Sequence, residues 1–524
     1  AYLAATRYKL DDPRPYLYKT ADYGATWTRI TDGIPDADFT RVIREDPGCR
    51  GLLYAGTETG LYLSFDDGEH WEPFQSNLPV CPIYDLILKD DDLIVATHGR
   101  GFWILDDVTP LHQLASDSQT VARDSQAVAR NSQAVIPDHP ATTRLFTPRD
   151  TIRFKVYEGF GSNEGEQVNY RMAGPITYAY RLEKHPDGTK ETKLLNAGTN
   201  RPNGVLISYY LAEAPRDGIT LTILDAAGQE IRRVTSKPAE PEEQQPATAE
   251  GNAAAASAVQ PEVVSEAATA PDPEATEGSS VGETPEAGAE GQEPFLPKKP
   301  GLNRFTWNFR YENATRIPGD KFAENATAGP VLPPGRYQVR LEVAGQTFTE
   351  PFDLLADPRL SVSQEDLQAQ FDLGLQLGTA MSRLNQAILR IRDLREQLTS
   401  WKARLARAEN AGPAQDTAAR LIDRLTAIEE ELMNTKATSR MLYPPPNIPT
   451  RLNQRLAFLA GAVASADAAP TKQVCEAFEE VSGLVEAQLR ALQQIGDTDL
   501  PAFNDLVRQL ELPAVALQVD QKAE

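Results

Sequence analysis

Two stretches of the chain carry one order of chemically able residues. Thr20-Ala-Asp22-Tyr-Gly24-Ala-Thr-Trp27 and Ser64-Phe-Asp66-Asp-Gly68-Glu-His-Trp71 each place a hydroxyl, a carboxylate two residues on, a glycine four on and a tryptophan seven on. A carboxylate beside a hydroxyl can serve a bound ligand, or it can turn inward. The spacing predicts the second: an Asp side chain accepts hydrogen bonds from backbone N–H groups of its own turn. Gly24 and Gly68 supply positive φ, and Trp27 and Trp71 would each bury a large ring beside the turn. Setting 52–67 over 93–107 aligns Asp107 with Asp66, but Leu105 replaces the serine and no glycine or tryptophan follows. These Asp residues are expected to be structural.

A second set of residues is better placed for a ligand. "ATHGRGFWILDD" (96–107) puts His98 and Arg100 on a glycine-flanked hairpin, and the corresponding loops of the earlier copies carry Arg7, Lys9 and Glu58. Together they could meet an anionic or hydroxylated ligand; the plainer alternative is a tight turn with Arg100 paired to an acid. Asp11, Asp12 and Glu58 are the acids on the same side. None of the five histidines lies in an H-x-x-H or HExxH arrangement, and no G-x-S-x-G elbow or phosphate-binding loop occurs. Cys49, Cys81 and Cys475 are odd in number and widely spaced, so they form no disulfide framework and no metal-ligand cluster. The expectation is no catalytic residue, no metal and no cofactor.

The elements that position these residues repeat. Short Val-, Ile-, Leu- and Tyr-rich runs broken by Gly, Asp and Pro recur at offsets of 44 and 41 residues over 1–110. Four-stranded units at that period are the mark of β-propeller blades. Three blades cannot close a ring and would leave an unpaired edge. The chain also opens on "AYLAATRYKL", without Met or a charged-then-apolar leader. The expected partner is therefore the missing N-terminal blades, from the same precursor or a separate chain.

The rest of the chain divides by pattern. Residues 111–140 read as a repetitive linker, with nearly three copies of a seven-residue unit at 117–135. Alternating strands over 141–356 predict an immunoglobulin-like β-sandwich, interrupted at 238–297 by an Ala/Pro/Glu-rich stretch expected to be disordered. From Ser363 the period becomes helical: "SQED" is a capping box, and Met381, Leu384, Ile388, Ile391, Leu398 and Leu405 form a stripe with a gap near Arg395. Further stripes, broken at "YPPPNIP" (443–449), predict an antiparallel helical bundle over 363–515.

Charge narrows the partners. The net charge of −23 argues against a nucleic-acid backbone. Thirteen of the acids lie in 238–297, and without them the chain carries −10. No run of about 18 apolar residues offers a membrane span.

The S/T-x-D-x-G-x-x-W turns resemble the Asp-box, or bacterial neuraminidase repeat, of sialidases, sortilin-type propellers and xyloglucan-cleaving hydrolases. With "FTRVIREDP", "GLLYAGTETGLYLSFDDG", "GLNRFTWNFRY" and "PPNIPTRLNQRLAFL", the chain resembles the C-terminal half of large bacterial sortilin-like propeller proteins often labelled glycosyl hydrolases. The resemblance implies an extracytoplasmic protein. It also implies boxes that join the outer two strands of a blade, away from the ligand face. The expected function is a non-catalytic interaction or scaffold protein binding a protein or glycan. The alternative is a glycoside hydrolase, sialidase-like or xyloglucanase-like, whose catalytic acids lie mostly in missing N-terminal blades.

Overall fold

The computed structural model describes residues 1–116, 142–155, 168–173, 176–184, 190–196, 198, 200–236, 295–318, 327–408, 410–435 and 449–511. It is a mixed protein, with mainly antiparallel sheets, β12 (Thr151–Ile152) pairing in parallel, followed by a helical region. Three sheets come first. Sheet one runs β1 (Tyr2–Arg7), β2 (Asp12–Lys19), β3 (Thr28–Arg29); sheet two runs β4 (Thr40–Glu45), β5 (Leu53–Thr57), β6 (Leu61–Ser64), β7 (Glu72–Pro73). Sheet three pairs β10 (Phe102–Leu105), β9 (Asp92–Thr97) and β8 (Ile83–Lys89) in that order. Every residue of β5 and β6 is buried. That is why these strands read as continuous apolar runs: both faces are covered.

One face of sheet two, through Ile43, Leu53, Ala55 and Tyr62, meets Leu17 and Ile30 of the first copy. The other, through Val42, Tyr54, Leu61 and Leu63, meets Ile83, Leu86, Leu93 and Val95 of sheet three. The approach is close at Gly56, where a Cβ would fall 2.6 Å from the Ile83 side chain. The same core takes in Val108 and Ala115, and residues 109–116 are helical. Leu111 and Ala115, within the stretch 111–140 expected as linker, supply an apolar helical face to this core. The heptad-like stretch 117–135 lies outside the described residues.

The second β region contains β11 (Arg144–Leu145), β12 (Thr151–Ile152), β13 (Asn169–Ala173), β14 (Ile176–Lys184), β15 (Lys190–Leu194), β16 (Val205–Leu211), β17 (Thr220–Asp225), β18 (Glu230–Thr235), β19 (Gly301–Trp307), β20 (Gly335–Val343) and β21 (Gln346–Leu355). Sheet β11-β16-β19 and sheet β12-β21-β20-β17-β18 share one core, with Ile207, Tyr209 and Trp307 against Leu221, Val339 and Phe352. β13-β14-β15 form a separate sheet. The acidic stretch lies outside the described residues except for its end. There Leu296 is buried in the shared core and its N–H donates to the Thr235 carbonyl at 3.1 Å. The described residues 295–297 thus belong to the expected stretch 238–297, and there Phe295 and Leu296 carry apolar side chains and no acid.

The helices are α1 (Gln364–Leu405), α2 (Gly412–Leu432), α3 (Leu452–Ala464), α4 (Lys472–Gln494) and α5 (Leu500–Gln509), around one apolar core. Ser363 caps α1 by accepting from the Asp366 N–H at 3.1 Å. The gap in the α1 stripe has a polar cause. Buried Glu429 of α2 accepts from Arg392 Nε at 2.8 Å and from Arg395. The helices are fastened to the strands by a buried pair, Arg153 to Asp467 at 2.7 Å, with Arg153 also donating to the Leu332 carbonyl. Of "YPPPNIP", residues 443–448 lie outside the described residues. Among the described residues, no helix is long and apolar enough to cross a membrane.

Candidate functional site

The two Asp turns are built alike. In the first, the Thr20 hydroxyl donates to Asp22 Oδ1 at 2.8 Å and accepts from Gly24 N at 2.9 Å, while Asp22 accepts from Thr26 N at 2.9 Å and Thr26 Oγ1 at 2.6 Å. In the second, Ser64 donates to Asp66 at 2.7 Å and accepts from Gly68 N at 2.9 Å, and His70 N–H donates to Asp66 at 2.9 Å. Gly24 and Gly68 sit at φ 89° and 90°. Hydrogen bonds from Thr26 and Thr20 hold the Asp22 carboxyl down at about 2. Both carboxylates face their own turns and leave little for chemistry.

Two expectations about the turns need correction. Trp71 is buried at 2% exposure and its indole N–H donates to the Ile30 carbonyl at 3.0 Å, but Trp27 is 44% exposed. The difference is a neighbour: Trp71 has sheet one to lie on. Asp107 closes no box. It accepts from Thr109 N at 3.1 Å and Thr109 Oγ1 at 2.7 Å, an Asx turn just before the helical residues 109–116.

The hairpin end of the three sheets carries a different arrangement. Buried Asp38 accepts from Thr57 Oγ1 at 2.8 Å, Thr59 N at 3.2 Å and Thr59 Oγ1 at 2.7 Å, which fixes the loop bearing Glu58. Glu58 accepts from Arg41 through Nε at 2.7 Å and through Nη2. The Arg41 guanidinium then lies 4.2 Å from the Tyr84 ring centroid, 5.0 Å from Phe39 and 5.8 Å from Tyr8. Tyr8 stacks on Phe39 at 4.7 Å, and Tyr84 stacks on His98 at 4.9 Å. The result is one row from sheet one to sheet three: Tyr8, Phe39, Arg41, Tyr84, His98, with Glu58 beside it. Tyr8 and Tyr84 remain 41% and 50% exposed.

Of the sequence candidates, Glu58 and His98 are in this row. Arg7 is not; it stands 3.6 Å from Asp12 Oδ2 and over the Tyr16 ring, where Arg14 and Arg29 also sit. Lys9 is exposed on the turn Tyr8–Leu10. Arg100 is exposed on a hairpin whose Gly99 and Gly101 have φ 88° and 71°, and it pairs with no acid among the described residues. Of the three candidate acids, Asp11 takes a left-handed φ of 57°, and Asp12 accepts from Arg14 at 2.9 Å and Tyr16 at 2.6 Å.

Arg41 and Tyr84 were missed by sequence reasoning. Both sit where strand register slips, between Thr40 and Val42 in β4 and between Ile83 and Asp85 in β8. Such bulges re-aim side chains out of the strict alternation used to assign faces. The usable signal was an aromatic and an arginine at the starts of corresponding strands.

The row offers ring faces, an imidazole and a paired carboxylate, without a nucleophile–base pair. Among the described residues no group of three or more His, Cys, Asp and Glu is arranged to hold a metal ion. Clefts do form elsewhere. One beside Asp46 and His112 holds about 110 Å³ and one beside Arg153 and Asp467 about 10 Å³. Both are well below the roughly 300 Å³ of a small-molecule pocket. No family model and no curated protein matches the chain.

Proposed function

We propose that the chain is a non-catalytic interaction or scaffold protein, the C-terminal part of a larger extracytoplasmic propeller protein. In this reading the three stacked sheets are Asp-box blades, the two sheets sharing a core are an immunoglobulin-like sandwich, and the helices serve assembly. The extracytoplasmic setting rests on the resemblance alone. The observation that carries the function is the row Tyr8–Phe39–Arg41–Tyr84–His98. It sets the half-exposed rings Tyr8 and Tyr84 on either side of buried Phe39 and of Arg41, which engages the Glu58 carboxylate. Exposed rings beside a fixed ion pair suit a protein or glycan surface, because aromatic faces give contact area at low entropic cost.

The test is a binding screen of the whole chain against arrayed glycans and peptides, with Tyr84→Ala as the probe of the row. Binding lost in Tyr84→Ala, with no glycoside cleavage, supports the reading. Turnover of aryl glycosides that disappears in Glu58→Gln would overturn it in favour of a hydrolase.

A further inference from the structure

Three features of the row Tyr8–Phe39–Arg41–Tyr84–His98 narrow what it can hold. The first is that its place for a cation is taken. Aromatic faces attract cations, but the Arg41 guanidinium already lies over Tyr84, Phe39 and Tyr8, and its charge is met by Glu58. A ligand cation would have to displace Arg41. The second is that the main chain around the row is committed. Glu58 N–H donates to the Phe39 carbonyl at 3.1 Å and His98 N–H to the Pro82 carbonyl at 2.9 Å. Thr59 N–H donates to Asp38 at 3.2 Å and Arg100 N–H to Thr97 Oγ1 at 3.1 Å. A partner is therefore held by side chains rather than as an added strand.

The third feature is that the side-chain groups left over are mostly donors. Both Arg41 bonds to Glu58 come from Nε and Nη2, so Nη1 has no partner among the described residues, nor do the Tyr8 and Tyr84 hydroxyls. Exposed Lys9 follows Tyr8 and exposed Arg100 lies two residues after His98, and neither pairs with an acid among the described residues. Against these N–H and O–H groups stand only the Glu58 oxygen that Arg41 leaves free and an imidazole nitrogen. Each sugar hydroxyl brings a donor that needs an acceptor, whereas a proline brings a carbonyl and no N–H. The spacing fits the same ligand. Arg41 lies 5.8 Å from the Tyr8 centroid and 4.2 Å from that of Tyr84, which keeps the two exposed rings within about 10 Å of each other; one turn of polyproline II, three residues at about 3.1 Å each, covers that span.

We infer that the row docks a proline-rich, acidic segment of a separate polypeptide in the polyproline II form. This rests on the row being the binding surface, as proposed above, and names what it binds. Prolines three residues apart lie on the Tyr8 and Tyr84 rings, and the carbonyls between them accept from the two phenols and from Arg41 Nη1. Acidic residues on either side meet Lys9 and Arg100, the charge complementarity that selects this partner. A segment of this kind is extended before it binds, so little ordering entropy opposes docking.

The experiment is fluorescence anisotropy of two labelled peptides, Pro-Glu-Glu and Ala-Glu-Glu each repeated three times, titrated with the whole chain. It is run in parallel on Tyr84→Ala, on Lys9→Glu with Arg100→Glu, and on Lys472→Glu, an exposed lysine on α4. The proline peptide is expected to bind about tenfold or more tighter than its alanine counterpart. Tyr84→Ala and the double charge reversal each weaken it about tenfold or more, and Lys472→Glu leaves it unchanged. Equal binding of the two peptides, or binding indifferent to the charge reversal, overturns the inference. A neutral β-glucan oligosaccharide run alongside separates it from the broader reading. Glucan binding that is lost in Tyr84→Ala, with the proline peptide unbound, overturns the peptide and keeps the row as the binding surface. Proline-peptide binding that survives Tyr84→Ala overturns both.

Discussion

The turn at Asp22 and the turn at Asp66 share their hydroxyl–carboxylate and hydroxyl–glycine bonds within about 0.1 Å of each other, yet their tryptophans differ from 44% to 2% exposure. Identical local chemistry therefore leaves burial undecided. What differs is the neighbour. Trp71 lies on Ile30 and on the loop at Gly33, where a Cβ would fall 2.1 Å from the Trp71 carbonyl oxygen. Trp27 has no such sheet among the described residues. The turn is a local device, and the tryptophan reports whether a sheet is stacked against it.

The sharpest way to break this comparison is to delete each ring. Trp71→Ala should cost about 3–5 kcal/mol, as for buried Trp or Phe truncation, whereas Trp27→Ala should stay within about 0.5 kcal/mol. Urea denaturation of the two variants checks it; equal losses would mean that burial does not separate the turns. Gly33→Ala should come next, because φ is 91° and the approach is to backbone. A loss of about 2 kcal/mol or more is expected by thermal melting. Thr20→Ala and Ser64→Ala should be alike at about 1 kcal/mol, since each removes one carboxylate and one N–H partner. A marked inequality would show that the turns are not equivalent units.

A smaller effect sharpens the comparison at its other end, where the helical residues 109–116 close over sheet two. His112 Nε2 lies 2.8 Å from Asp46 Oδ2, and Asp46 also accepts from Gly48 N, Cys49 N and Tyr54. That hydrogen bond raises the His112 pKa against the cost of burial. Burial opposes ionisation of Asp46, yet the bonds from His112, Gly48 and Tyr54 hold its pKa below the usual carboxylate value. A raised histidine stabilises fully below its unfolded value of about 6.5 and loses that contribution as pH rises through the folded value. Wild-type stability should therefore decline as pH rises above about 6.5, relative to His112→Ala, read as melting temperature against pH. For Asp22, held at about 2, stability is present above the ordinary carboxylate range and is lost as pH falls through that value. Its variant Asp22→Asn should flatten only the acid limb.

Much of this was legible beforehand. The Asp turns, the capped start of α1 at Ser363 and the apolar stripe of that helix follow from local hydrogen bonding and side-chain period, which neighbours four residues apart suffice to set. The row at the hairpin end was half legible. Glu58 and His98 stood out on glycine-flanked hairpins, but Arg41 and Tyr84 did not, because bulges in β4 and β8 carry them out of alternation.

The repeat, its turns and the helical periods are set by contacts within a few residues and are therefore written in the order of the side chains. Which repeat is covered and which is open depends on how the sheets stack. Trp27 and Trp71, or Leu63 and Ile104, occupy matching positions, and burial is a property of the sheet stacked against them. Only the tertiary structure, too, brought Tyr8, Arg41 and His98 into one row, for that contact spans three sheets and no local rule encodes it.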